Sequence, residues 1–288
     1  MIVIIGFVVV LGAVLAGFSM AGGHVGALIQ LSEFVTIGGA SLGALLVMSP
    51  KKVLIDLARG ILQSIKGTPY NKRTYEDLFK VSYELFRIAR QGGLIALEPH
   101  VSSPHESQVF QKYPKIANDH HVIQFMCGGL TPILEGTTKP EQLPAMLAGE
   151  IAVIEADHHG PLNVLSKTAD ALPGFGIVAA VLGIVVTMGA IDGPVEEIGE
   201  KVGAALVGTF LGILLSYGFF APLAVRMEFL VEAEMSFFRT IAVIIQGFGY
   251  GVAPKVAIEQ ARRAMGTEMR LEREELDRLF ESVDKAPE

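Results

Sequence analysis

Histidine is the first side chain here with metal or acid–base chemistry to offer: there are 7, six of them between His100 and His159. His120-His121 and His158-His159 are adjacent pairs. Neighbouring side chains on a helix point in different directions, so neither pair chelates a metal by itself. No HExxH run and no glycine-rich phosphate loop with its lysine occurs. The run Gly-Phe-Gly-Tyr-Gly at Gly247–Gly251 has neither dinucleotide-loop spacing nor a strand before it. The single cysteine, Cys127, stands beside Gly128-Gly129 and reads as a small buried residue. One cysteine also excludes a disulfide framework and a multi-cysteine zinc site. The residues point away from an enzyme, with no catalytic group, no metal site and no cofactor expected.

Transport is the other chemistry to test. An ion carrier in a membrane places an Asp, Glu or His at mid-depth, because a proton needs a titratable stop. The apolar stretches Leu172–Ile191 and Val202–Val225 hold no ionisable side chain except Tyr217. They do hold hydroxyls at Thr187 and Thr209, and prolines at their inner edges, Pro173 and Pro222. Asp170 stands just inside Pro173. Such a pair of segments can wall a pathway, and a partner helix must bring the missing carboxylate. The simpler reading is that both threonines bond their own preceding helical turn.

The elements that would position these residues follow from hydropathy. Hydrophobic residues make up 51% of 288 and charged residues 18%, with a mean hydropathy of +0.48. Soluble domains carry about 25% charge. The formal net charge of −7 gives nucleic acid no electrostatic support. Four stretches, Ile2–Phe18, Leu31–Met48, Leu172–Ile191 and Val202–Val225, lack Lys and Arg, and each approaches the length a helix needs to span ~30 Å of hydrocarbon. Glu33 is the one charge in the second. Thr240–Ala253 and Leu143–Ile154 are shorter and read as helices buried against protein.

Basic residues set the orientation. Lys51–Asp170 and Arg226–Glu288 hold 22 of the 23 Lys and Arg. Both therefore face the cytoplasm, as do both termini, and the linkers Ser19–Gln30 and Asp192–Lys201 face outside. The first apolar stretch has no basic residue before it, so it is expected to be retained and not cleaved as a signal peptide. The expected fold is an all-α membrane protein, with four transmembrane helices in two hairpins and a helical cytoplasmic domain. Its segments are 1–50, the first hairpin; 51–170, cytoplasmic; 171–225, the second hairpin; and 226–288, a cytoplasmic helical region.

Within the cytoplasmic part, Thr74-Tyr75-Glu76-Asp77 reads as a helix start, leading into apolar residues at helical spacing from Leu78 to Ile88. Ile116–Gly128 and Pro140–His158 are further helices. The stretch His100–Pro114 is read as irregular. Glu268–Val283 reads as a charged helix with little to bury. Small residues recur every four positions at Ala204, Gly208, Gly212 and Ser216; Gly176 and Ala180, and Ala179, Gly183 and Thr187, form similar stripes. Such stripes let helices approach closely in lipid, either within one chain or between subunits.

The run Pro173-Gly174-Phe175-Gly176-Ile177-Val178-Ala179-Ala180-Val181-Leu182-Gly183 resembles the third membrane helix of the MotA family of flagellar stator subunits. The likeness continues through Asp192–Lys201 to Gly203–Pro222. It also takes in Arg90-Gln91-Gly92-Gly93-Leu94, Glu98 and Gln246–Arg263. The resemblance implies a proton channel built from a ring of this chain, five copies around two helices of a MotB-type single-span partner that supplies the ion-carrying aspartate. It implies the bacterial inner membrane as location. Pro173 and Pro222 match prolines coupling ion passage to movement, and Asp170 an acid at the inner mouth. Thr209 matches the threonine facing the partner aspartate, with Thr187 and Tyr217 along the same path. Arg90, Glu98 and Glu150 match charges that engage the rotor protein FliG. Ala180 stands where sodium-driven relatives carry threonine, which points to protons. Two other readings stay open: an ExbB/TolQ-type proton-driven energiser, which has three spans and a different loop placement, and a non-conducting membrane scaffold.

Overall fold

A computed structural model describes residues 2–189 and 191–285 of the chain. Met1, Ala190 within the third apolar stretch and residues 286–288 of the last segment lie outside the described residues. The regular elements among the described residues are all helices, with no strand among them. In chain order the helices are α1 (Ile2–Met20), α2 (Leu31–Met48), α3 (Lys51–Lys66), α4 (Lys72–Gly92), α5 (Leu94–Ser102), α6 (Gln108–Gln111) and α7 (Pro114–Ala117). Then follow α8 (His120–Leu134), α9 (Leu143–Met188), α10 (Val195–Leu215), α11 (Ala221–Gly249), α12 (Pro254–Ala264) and α13 (Arg273–Asp284). A π-helical turn, Ser216–Phe220, joins α10 to α11. Four helical runs among the described residues are long and apolar enough to cross a membrane; they contain the first, second and fourth stretches marked out by their lack of basic residues, and the third as far as Met188.

The chain forms two compact units, one joining residues up to Gly67 with Asp157–Leu230, the other joining Thr68–Ala156 with the chain from Val231 onward. These boundaries follow packing, whereas 50/51, 170/171 and 225/226 follow charge. In the first unit, α2 buries Glu33, Ile37 and Ser41, residues four apart and so on one helix face. Ile37 packs with Leu172 and Ala179 of α9 and Leu211 of α10. Much of the remaining apolar surface of α1, α2 and α9 is exposed: Ile2, Val9, Val47, Val185 and Val186 are examples. That is the surface a lipid-facing helix presents.

The second unit has an aromatic core. Phe86 stacks on Phe248 with centroids 4.5 Å apart, Tyr70 on Phe237 at 4.7 Å, and Phe125 meets Phe238 edge-on at 5.1 Å. The buried Glu84 accepts hydrogen bonds from Lys112 at 2.8 Å and from the Tyr113 hydroxyl at 2.5 Å. The apolar run of the Thr240–Ala253 stretch is buried as expected, with Ile241, Ile244 and Ile245 inaccessible.

Several local expectations are corrected. The cap of α4 is Asn71, whose side chain accepts from the backbone of Arg73 and Thr74, and Thr74 already lies inside the helix. The Ile116–Gly128 helix is two pieces, because the Asp119 side chain caps Val122 N at 3.2 Å and starts α8 afresh. Helix α13 buries Leu276, Leu279, Phe280 and Val283 on one face, so the terminal charged helix has a substantial stripe to bury. Finally, Leu143–His158 and the third apolar stretch as far as Met188 belong to one 46-residue helix, α9, which runs on through Pro161 and Pro173.

Candidate functional site: the α9–α10 helix pair

Helices α9 and α10 meet backbone to backbone. A Cβ added to Gly212 would lie 2.7 Å from the Leu172 carbonyl oxygen and 2.8 Å from Gly176 Cα. One added to Gly176 would lie 2.8 Å from the Gly208 carbonyl, and one at Gly183 would lie 2.6 Å from Ala205 Cβ. These obstacles are largely backbone, which cannot rotate away. Gly176, Gly183, Gly208 and Gly212 of the small-residue stripes therefore pack within the chain. In lipid no hydrophobic force drives helices together, so this close fit supplies the attraction through dispersion.

The fourth member of the α10 stripe does something else. Pro173 has no N–H, so the carbonyl four residues earlier, Ala169, has no helical donor. The Ser216 hydroxyl, buried, donates to the Ala169 carbonyl at 2.7 Å. Ser216 thus satisfies the acceptor that Pro173 orphans, and α9 continues unbroken. Ser216 also opens the π turn: Ala221 N donates to the Ser216 carbonyl five residues back. Pro222 follows immediately. Such π turns appear mostly as single-turn bulges, frequently at functional sites. The sequence marks Ser216 only as a small residue, and its partnership with Pro173 is visible only once α9 and α10 are paired.

Along α9, Thr187, Ala180 and Pro173 are seven residues apart, which keeps them near one face over about 21 Å. Ala180 is buried beside Gly208. Thr187 is buried and its hydroxyl donates to the Gly183 carbonyl at 2.8 Å, so in this structure that hydroxyl is engaged in its own helix. Thr36, Thr131, Thr168 and Thr240 make the same four-back bond. Thr209 is half-buried and is not one of them. Tyr217 is 68% exposed on the π turn. Asp170 is exposed at the wall of a cavity of about 630 Å³, which His159, Asn163, Ser166 and Glu228 also line.

Glu33 belongs to this site although sequence reasoning gave it no role. Its carboxyl is buried, its Oε2 atom has no hydrogen-bond partner, and a side chain at position 208 would overlap it. The available signal was a lone acid in an apolar span. Where it points depends on long-range packing.

In the second unit, α4 ends at Arg90-Gln91-Gly92. Gly93, at φ +76°, turns the chain into α5. Only glycine takes that backbone region without strain. Arg90 and Glu98 are exposed, and Leu94 and Ile95 between them are exposed too, Ile95 at 82%. Glu150 differs: it is half-buried on α9, and burial raises its carboxyl pKa above the ordinary value. No ion pair or hydrogen bond joins Glu150 to Arg90 or Glu98 among the described residues. Burial pushes the Cys127 thiol up to about 12, which keeps it a neutral packing group. No group of three or more His, Cys, Asp and Glu is placed to hold a metal among the described residues.

The comparisons with known proteins agree with this architecture. The profile "Motility protein A N-terminal" matches residues 4–93, and that of the "MotA/TolQ/ExbB proton channel family" matches residues 117–240. Motility protein A of Salmonella typhimurium is 36% identical over 92% of this chain and 90% of its own length. The Escherichia coli protein of the same name gives the same figures, and chemotaxis protein LafT of Vibrio parahaemolyticus is 36% identical over 90% of this chain and 91% of its own. Among solved structures, C. jejuni MotAB has a TM-score of 0.75 at 19% identity, covering 94% of this chain and 98% of that one. The flagellar MotAB stator complex of Bacillus subtilis gives 0.72 at 22% identity, covering 89% and 92%. These two likenesses bear on the fold, and the sequence relatives settle the family: the chain belongs to the Motility protein A family, within the MotA/TolQ/ExbB proton channel proteins.

Proposed function

We propose that this chain is the channel-wall subunit of a flagellar stator. With a MotB-type single-span partner it forms a proton route across the bacterial inner membrane and turns proton-motive force into rotation. The observation that carries this reading is the α9–α10 pair. It is held at backbone distance by Gly176, Gly208 and Gly212, presents Ala180 and Thr209 at one level, and is kept helical through Pro173 by Ser216. Four candidate spans and family membership support it.

The chemistry follows from the side chains. Ala180 offers no oxygen with which to replace sodium's water, whereas a proton can pass along hydroxyls, water and carboxyl groups. A partner aspartate at the level of Thr209 is neutralised when it takes a proton from outside. The neutral helix then fits the next neighbour in a ring, five copies of this chain, and the ring steps. The proton leaves past Asp170 into the polar cavity at the inner end. One charge crossing the membrane is worth ~2.3 kcal/mol per 100 mV, so each step has several RT available. Pro173 and Pro222 stand where that movement passes toward the cytoplasmic helices. Arg90 and Glu98 are the contacts proposed for FliG, with Glu150 a half-buried third. Exposed ion pairs contribute only ~0–1 kcal/mol each, which suits a contact that must release at every step.

The test is complementation. In a bacterium lacking its own Motility protein A, this chain expressed with its single-span partner should restore swimming, and Thr209→Ala should reduce it while the protein still reaches the membrane. A chain that assembles with the partner but never restores swimming contradicts the proposal and favours a scaffold.

A further inference from the structure

The spans 172–191 and 202–225 contain no acid, yet the structure brings one to their interior. The connection between α1 and α2 packs against α10 through its 3₁₀ turn, Val25–Leu28. Helix α2 therefore starts well inside the length of α10. Gly208, which the Glu33 carboxyl abuts, lies thirteen residues from the first residue of α10, about 20 Å along the axis. Ala180, whose backbone N also borders Gly208, lies eight residues before the end of α9, about 12 Å. Glu33 thus opens its own helix but sits at the middle level of the pair it packs against, at Gly208, which borders Ala180 and precedes Thr209 in the chain.

Two further observations separate this carboxyl from ordinary packing. The same face of α2 carries Ser41, whose buried hydroxyl also lacks a partner. And a cavity of about 750 Å³ opens between the α1–α2 connection and α10, lined by Phe18, Leu28, Gln30, Glu200, Ala204 and Val207 among others. Gln30 precedes Glu33 by one helical turn and Val207 precedes Gly208, so the cavity reaches from the acidic outer end of α10 to the neighbourhood of the carboxyl. A space of that size has room for several waters. Ionisable groups on the surrounding elements are few. Helix α1 and residues 171–188 of α9 carry none, and α2 itself carries only Glu33. Helix α10 brings Glu196, Glu197, Glu200 and Lys201 at its outer end, with Lys201 paired to Glu197 at 2.8 Å, and the connection brings His24. No ion pair joins Glu33 to any of them among the described residues. A buried acid without a cation or donor is expensive to keep charged and is retained in membranes chiefly where it handles ions.

We infer that Glu33 is a proton station belonging to this chain: it collects protons from the outer cavity and delivers them to the Ala180–Thr209 level of the α9–α10 wall. The step is a simple exchange. The carboxylate takes a proton from a hydronium ion in the cavity, leaving a water molecule there, and becomes the neutral acid. It then gives that proton to a water or hydroxyl at the wall and returns to carboxylate. The inference rests on the proton-channel reading above and adds an inlet to it.

The experiment measures proton influx into cells or vesicles carrying the full chain with its single-span partner, unplugged. Wild-type influx tests the channel reading itself, and its absence overturns both proposals. With wild type conducting, Glu33→Gln keeps the shape and removes the titratable group. Its influx should fall at least tenfold with membrane assembly unchanged, and Glu33→Asp should recover part of it. Influx equal to wild type in Glu33→Gln overturns the inference and leaves the channel reading intact. If Glu33→Gln does not assemble, the wild-type complex decides. Treatment with a small carbodiimide should modify Glu33, read by peptide mass, and abolish influx in step. Influx that persists with Glu33 fully modified, or a Glu33 that never reacts, overturns it.

Discussion

Ser216→Ala isolates the link between Pro173 and the helix pair. The mutation removes the 2.7 Å bond to the Ala169 carbonyl and leaves packing almost unchanged. Interhelical hydrogen bonds in membranes average ~0.6 kcal/mol and reach about 1.7. That average applies to groups with other partners available. Here the acceptor has lost its own helical donor to Pro173, so the top of the range applies, about 1–2 kcal/mol. The matching control is Pro173→Ala, which gives Ala169 a backbone donor again. In that background Ser216→Ala should cost under about 0.5 kcal/mol, so the two sites should couple by roughly 1 kcal/mol. The assay is a double-mutant cycle on the purified chain, unfolded reversibly in mixed detergent. A cost for Ser216→Ala that is the same with and without Pro173 would refute the compensation argument.

Further tests address separate parts of the structure. Gly212→Ala should prise α9 from α10, because its Cβ meets backbone at 2.7–2.8 Å, whereas Gly174→Ala, with nothing within 4 Å, should be tolerated; detergent stability and proton influx compare them. Glu259 is held at about 2, chiefly by the Arg262 hydrogen bond and also by Arg263, and Arg262 further donates to the Leu271 carbonyl at 2.8 Å. Its contribution is therefore complete above the unfolded value of 4.5 and is lost as pH falls from there toward 2. Glu259→Gln should lower thermal stability at neutral pH by about 1–2 kcal/mol and flatten the acid dependence in that window. Arg90→Glu, at an exposed helix end, should leave thermal unfolding unchanged and reduce swimming, with partial rescue by a reversed charge on the rotor; normal swimming removes Arg90 from the rotor contact.

What the sequence disclosed divides along physical lines. Freedom from Lys and Arg is a local property with one meaning in a bilayer, so the four apolar stretches were legible. Burial of Ile241, Ile244 and Ile245 was legible too, because fourteen residues are too few to span. The unity of α9 was not, since Pro161 and Pro173 fall inside it and a proline ordinarily kinks or ends a helix; only Ser216, some forty residues beyond Pro173, explains why the second does not. The π turn leaves no compositional mark. Thr187 illustrates the limit for hydroxyls: its type suits an ion path and its bond to Gly183 suits a helix, and spacing cannot choose. Glu33 was visible as a lone charge, but its meeting with Gly208 depends on how deeply the α1–α2 connection sits against α10. Arg90 and Glu98 occupy exposed positions of a kind composition alone would leave unremarked, and their proposed role comes from family resemblance.

The central claim is that this chain walls a proton route and needs a second polypeptide to complete it. Proton influx measured in vesicles containing the chain alone, and again with the single-span partner present and unplugged, tests that claim most directly. Tight vesicles without the partner and conducting ones with it are the predicted pair of results. Vesicles that leak protons equally in both cases would contradict the account.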